Sequence, residues 1–326
     1  MLGGLLCAAN SYAQHSRFIS AVDEYVPAPG QFVNTMPEAT ADDTPESMAQ
    51  KCTACLANDK RQIVTLGAYG GYMTFHFDHP VANIEGKCDL LILGNATATS
   101  AECGIVMVSQ DTNGNGKPDD EWYELSGSAD IDSIGKVVYD YEITYTPSAM
   151  QAIPWTDNKG RAGTIDRVSF HAQEYFPLWI KDNLTFSGTL LPDNSRDISG
   201  NGSYWVLESM RYGYVDNLPN SDTEGNSFNI DWAVDKDRRP VKLTHIDFVR
   251  VYTAINKQCG WIGETSTEIA GAEDLHLEES LTSIDSPVAS QGNGTRNNKY
   301  YSISGQEVNA DYKGIVIKNG KKVFVK

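Results

Sequence analysis

Residues 111–125, DTNGNGKPDDEWYEL, carry the clearest chemistry in the chain. Oxygen-bearing side chains alternate at Asp111, Asn113 and Asn115, then come Gly116, Lys117, Asp119 and Asp120. Ca²⁺ takes about six to eight oxygens, and alternate side chains of a short loop converge on it when a glycine allows the sharp turn between them. Gly116 stands at that turn and Lys117 supplies its carbonyl. Where a helix-flanked loop places a closing bidentate Glu, this chain has Trp122, so Asp120, Glu121 or Glu124 has to substitute. The spacing predicts a structural Ca²⁺ held by Asp111, Asn113, Asn115, Lys117, Asp119 and Asp120. The competing reading is a polar Asn-Gly turn between two strands.

Aromatic residues are the second resource. Trp155, Trp179, Trp205, Trp232 and Trp261, with Tyr175, Tyr204, Tyr212 and Tyr214, are dense for a chain of this size. Strand-borne aromatics most often pack in a core or across strands. However, Tyr212 and Tyr214 fall on one face of an expected strand that runs into Asp216, and Trp155 sits in the polar phrase PWTDNKG. Aromatic faces beside carboxylates and amides grip a sugar ring or another flat, partly polar ligand. Trp155, Tyr212, Tyr214 and Asp216 are therefore the expected ligand-binding residues.

Catalytic signatures are missing from the text. His76 and Asp78 of HFDH share a strand face while His79 points away, a spacing that suits a solvated strand end better than a metal. No nucleophile elbow, zinc-binding helix or phosphate loop occurs. Paired carboxylates abound, but in so acidic a chain the sequence selects no pair for glycoside chemistry. No catalytic residue is expected.

Formal net charge is −17 over 326 residues, unevenly spread. From Ser286 onward seven basic residues stand against Glu307 and Asp311, net +5, which leaves −22 on the remainder. An acidic body excludes nucleic acid as a partner, because phosphates need a basic face. No stretch has the roughly twenty apolar residues of a membrane-spanning helix. The opening MLGGLLCAANSYAQ reads as the end of a secretory signal, residues 1–13, with Ser11 and Ala13 as the small residues before a cleavage ahead of Gln14. Leu6 before Cys7 is too large for lipoprotein processing. In an exported chain Cys52 and Cys55 are expected as a local disulfide or as thiols, and Cys88 with Cys103 as a candidate bridge.

These residues need elements to hold them. Residues 14–61 read as a Pro- and acid-rich lead-in with a short helix around 45–56. From residue 62 about ten short β-branched and aromatic runs alternate with turn clusters, which predicts an all-β antiparallel sandwich, jelly-roll or discoidin-like, over 62–280. The cation loop is an insertion in it. Residues 281–298 read as a linker, and 299–326 as a small strand-rich tail too short for its own core.

The tail resembles the C-terminal sorting signals of Bacteroidetes surface proteins, through YYSISGQEV, YKGIVI and NGKK. The sandwich resembles a group of Bacteroidetes cell-surface proteins, through LGAYGGYMTFHFDHPV, the phrase around the cation loop, YEITYTP, WTDNKG, FHAQEYFPLWI, GSYWVLES, GYVDNLPN and the long phrase over 246–276. Residues 94–103, GNATATSAEC, depart from the bulkier text of that group. Members are typically encoded beside TonB-dependent outer-membrane uptake systems, including those for corrinoids. The resemblance thus implies an exported, non-enzymatic surface protein that captures a small-molecule or glycan ligand and works with an outer-membrane transporter. A carbohydrate-binding module, and after it a glycan-active hydrolase, are the alternatives.

Overall fold

The computed structural model describes residues 15–284, 300–302, 307–309, 314–318 and 321–325. The expected signal segment, Cys7 and most of the linker lie outside them. In chain order the elements are β1 (Ala21–Val26), α1 (Pro45–Leu56), β2 (Val64–Thr65), β3 (Tyr72–Ala82), β4 (Leu90–Leu93), β5 (Gly104–Ser109), β6 (Trp122–Leu125), β7 (Val138–Tyr145), β8 (Ile153–Asp157), β9 (Ala162–Ile165) and β10 (Leu184–Leu190). There follow β11 (Ser195–Asp197), β12 (Trp205–Leu207), β13 (Ser227–Phe228), β14 (Ala233–Val234), β15 (His245–Thr253), β16 (Gln258–Cys259), β17 (Gly263–Glu264), β18 (Glu268–Ile269), β19 (Gly271–Asp274) and α2 (Leu277–Ile284).

The expected all-β antiparallel sandwich is what forms. Its main sheet runs β1-β3-β15-β5-β6-β14, antiparallel at every pairing. Successive strand residues face opposite ways, and β5 shows the result. Val106 and Val108 enter a core shared with β4, α1 and β15, while Ile105 and Met107 join a second cluster with Tyr252, Met210 and Tyr214. The sheet is thus covered on both faces. A four-stranded sheet, β10-β7-β8-β9, closes a third cluster around Tyr69, Tyr145 and Phe186, and β13-β4-β19 backs the first.

Residues 15–61 are part of this body, contrary to their reading as a lead-in. β1 is the edge strand of the main sheet, and Ile19, Val22, Tyr25, Met48, Cys52 and Leu56 are buried in its core. The helix itself is where the sequence puts it. Thr44 caps it by accepting the Ser47 N–H, Ser47 returns the favour to the Thr44 N–H, and Pro45 opens its first turn.

Other expectations fail for local reasons. No strand forms at residues 210–216, because Gly213 turns the chain with φ +89° and Asp216 adopts φ +55°. A Cβ at Gly213 would lie 2.6 Å from the Gly127 Cα, so the turn has no room for another residue. Cys52, Cys55, Cys88, Cys103 and Cys259 are all free thiols, and Cys103 donates to Asn217 Oδ1 at 3.3 Å instead of bridging to Cys88.

Contacts divide the chain into Met1–Leu281 and Thr282–Lys326. In the second unit β20 (Tyr300–Ser302), β21 (Glu307–Val308), β22 (Gly314–Lys318) and β23 (Lys321–Val325) form an antiparallel sheet in the order β21-β20-β22-β23. No helix among the described residues is long and apolar enough to cross a membrane.

Candidate functional site

Loops from distant parts of the chain meet around a cavity of about 420 Å³. Gln31, Phe32 and Met36 come from the β1–α1 connection, Asn95 to Glu102 from the β4–β5 loop, and Phe170 and His171 from the loop after β9. The β11–β12 turn brings Tyr204 and Trp205, the β16–β17 turn brings Trp261, and the approach to β18 brings Ser266 and Glu268. Three aromatic walls are open to solvent: Phe170 is 63% exposed, Trp261 57% and Tyr204 51%. Leaving such groups in water forgoes burial of apolar surface at about 25 cal/mol per Å², so a cluster of them marks a contact surface. Trp205 and Trp261 are held by indole N–H bonds to the Gly202 and Ser203 carbonyls, both 3.2 Å.

The floor is acidic. Carboxylate oxygens of Glu102, Asp216 and Glu268 lie within 4.8 Å of one another, although burial alone disfavours charge on each. Neutral donors hold the group in place. Asp216 Oδ1 accepts the Asn95 N–H at 2.7 Å and Oδ2 the Glu268 N–H at 3.0 Å. Glu268 Oε1 accepts the hydroxyls of Thr65 and Ser266, both 2.9 Å, and Glu102 Oε1 accepts the Ser266 N–H at 3.1 Å. Burial, then the Asp216 charge, raises the Glu268 carboxyl; burial, then its two neighbours, raises Glu102; burial raises Asp216. Glu264, on β17, is pushed up to about 7 by burial while its Oε1 accepts the Gln31 N–H at 2.7 Å. Asp216 pays for its place with a left-handed backbone, strain that persists only where the surroundings fix it. Gly94 is the matching concession, since a Cβ there would meet Asp216 Oδ1 at 2.3 Å.

Of the expected ligand-binding residues, only Asp216 belongs to this site, beneath its floor. Trp155 packs on the β8 sheet against Gly163, whose Cβ would lie 2.5 Å from the indole. Tyr214 is buried, and its hydroxyl accepts the Ala129 N–H at 3.1 Å. Tyr212 packs at a 48° tilt against Trp232, 5.2 Å between ring centres. The residues that do form the walls, Tyr204, Trp205 and Trp261, were in the same aromatic inventory. Their Gly- and Ser-rich surroundings, SGNGSYW and CGW, signal exposed turn tips. Glu102 and Glu268 carry no local signal.

The cation loop joins β5 to β6. Asp111 Oδ1 and Oδ2 accept the N–H groups of Asn115 and Gly116 at 3.0 and 2.8 Å, and Asn113 and Asn115 donate their amides to Asp119 at 2.9 to 3.1 Å. Asp111, Asn113, Asn115 and Asp119 are therefore brought together, and the Lys117 N–H is tied to Asn115 Oδ1 at 2.8 Å. Asp120 bonds the Thr112 hydroxyl through Oδ1, while its Oδ2 is buried without a partner. The donor set is all oxygen, the chemistry a hard cation takes, but its side-chain oxygens already accept donors within the loop, save Asp120 Oδ2.

His79 is the other buried ionisable group of note. Its Nδ1 bonds Asp78 at 2.7 Å and its Nε2 bonds Asp274 at 2.8 Å, with the imidazole and Asp274 wholly shielded from solvent. Both ring nitrogens are engaged by carboxylates, and His15 Nδ1 stands 3.3 Å from the same Asp78, so that His15, Asp78 and His79 form a second cluster of ligating types. His76 faces the other way and bonds Asp23 at 2.8 Å. No family model matches the chain, and no curated protein matches it.

Proposed function

We propose that the chain is an exported cell-surface protein that binds a small-molecule ligand without turning it over, as an accessory to nutrient uptake through an outer-membrane transporter. A corrinoid is the first ligand to test. The observation that carries the reading is the cavity whose walls are exposed Phe170, Tyr204 and Trp261 and whose floor is Glu102 and Glu268. Its volume falls within the roughly 300–1,000 Å³ of small-molecule pockets, mostly apolar with a few placed polar groups. So large a molecule as a corrinoid would enter with one edge. The resemblance of the sandwich and of the tail supports the surface location and the uptake role.

A carbohydrate ring is the second reading, favoured by aromatic faces set beside carboxyl groups in the cavity. We propose also that Asp111, Asn113, Asn115, Asp119 and Asp120, with the Lys117 carbonyl, hold a structural Ca²⁺. Bound there, the ion supplies positive charge that ties the β5–β6 connection together. Titrating the intrinsic Trp fluorescence with cyanocobalamin, corrected for its absorbance, tests the first reading: saturable quenching supports it. No change for the corrinoid, together with retardation of the protein in polysaccharide affinity gels, would replace it with the second.

A further inference from the structure

The chemical character of the cavity is more specific than its aromatic walls. Glu268 is 97% shielded from solvent yet lines the cavity, and its described hydrogen bonds use Oε1 alone. Glu102 repeats the pattern: Oε1 takes the Ser266 N–H, and no described bond engages Oε2. Both carboxyl groups line the cavity, Glu268 buried and Glu102 half-buried, and the second oxygen of each lies outside the described hydrogen bonds.

No Lys or Arg lines the cavity. Lys257, whose ammonium stands 5.5 Å from the Trp205 ring centre, is paired with Asp193 at 2.6 Å. Glu264 is a further buried carboxyl, its Oε2 unpartnered. A phosphate or carboxylate ligand would therefore face a floor of carboxyl groups, with His171 the only basic side chain of the lining among the described residues. A neutral apolar ligand would lay apolar surface against the Glu102 and Glu268 carboxyl groups. A cation suits both features: aromatic faces attract it through their quadrupoles, and its charge favours the ionised carboxylates that burial alone disfavours.

We infer that the cavity selects ligands that carry an organic cation, a protonated or quaternary amine, seated against Trp261 and Tyr204 and directed at Glu102 and Glu268. The inference rests on the cavity being the ligand site. It narrows what such a ligand must present, whether a free amine or a cationic edge of something larger.

The test is isothermal titration of the intact chain with choline, and in parallel with 3,3-dimethylbutan-1-ol, its uncharged carbon isostere. Choline is expected to bind at least about tenfold more tightly than the alcohol. Glu268→Gln and Glu102→Gln, which keep the shape and the Oε1 contacts, should each remove most of that preference for choline over the alcohol. Trp261→Ala, at an exposed position that spares the fold, should weaken choline by several fold. Equal affinities for the two probes would overturn the inference, as would a choline preference that survives both carboxamide substitutions in well-folded protein. Absence of choline binding alongside Trp261-dependent binding of cyanocobalamin or a sugar would reject the cation and keep the cavity as the site. Silence from every probe would reject both.

Discussion

His79 offers the sharpest test of how this body is held together. Its imidazole bridges Asp78 on its own strand to Asp274 on β19, and Asp274 is fully buried. Burial alone would lower the His79 pKa, but the hydrogen bonds and charges of Asp274 and Asp78 outweigh it, and the net direction is up. Folding therefore favours the imidazolium. The stabilisation is fully present below the unfolded value of about 6.5 and is lost as pH rises through the folded pKa. His79→Gln keeps a donor but cannot titrate, and leaves one buried carboxylate short of a charge. Breaking a buried pair costs about 3–5 kcal/mol, which in a body of this size lowers Tm by roughly 6–20 °C. Urea unfolding of wild type and variant from about pH 5.5 to about 8.5 gives the second readout. The stability gap should be widest at the acid end and narrow with a slope of at most about 1.4 kcal/mol per pH unit. A gap that stays constant with pH, or widens toward the alkaline end, would refute the assignment of the charge to His79.

Three further outcomes follow from the same contacts. Asp111→Ala should lower Tm in millimolar Ca²⁺ and abolish the difference between Ca²⁺ and chelator, a difference that reaches about 2.7 kcal/mol when free ion is a hundredfold above Kd; identical wild-type melts in both would make the loop a plain turn. Gly94→Ala drives a methyl into Asp216, which its two backbone donors hold in place, so denaturation should show a loss of about 1–3 kcal/mol together with weaker ligand binding. Deleting residues 298–326 should leave the melting curve of the remaining body unchanged and release the protein from the cell surface; a lowered Tm, or unchanged surface retention, would contradict the sorting role.

The sheet was legible because its strands bury alternate residues, as in β3, where Met73, Phe75, Phe77 and His79 point inward and His76 and Asp78 outward. The helix over Pro45–Leu56 was legible from Thr44 and Pro45, and the cation loop from its alternate oxygens. β1 was not, and its register explains why. A bulge between Val22 and Glu24 breaks the period of two, so Val22 and Tyr25 are buried three apart amid acidic neighbours. Tyr212 and Tyr214 misled in the opposite sense, since the turn at Gly213 sends one to the core and the other onto Trp232. The binding site was the least legible part. Glu102 and Glu268 meet only because the β4–β5 loop is hydrogen-bonded to Ser266 and Thr267 just before β18, and each acidic residue by itself looks like any other in a chain with 43 of them.

The account stands on the cavity between the β11–β12 and β16–β17 turns being the ligand site. Isothermal titration with cyanocobalamin in Ca²⁺-containing buffer tests it most directly, run on wild type, Trp261→Ala and Trp155→Ala. The account predicts a saturable one-to-one isotherm at micromolar Kd or tighter, about −8 kcal/mol, weakened at least several fold by Trp261→Ala and untouched by Trp155→Ala. A flat trace from folded protein would remove the corrinoid, and binding that depends on Trp155 but not on Trp261 would place the ligand site elsewhere.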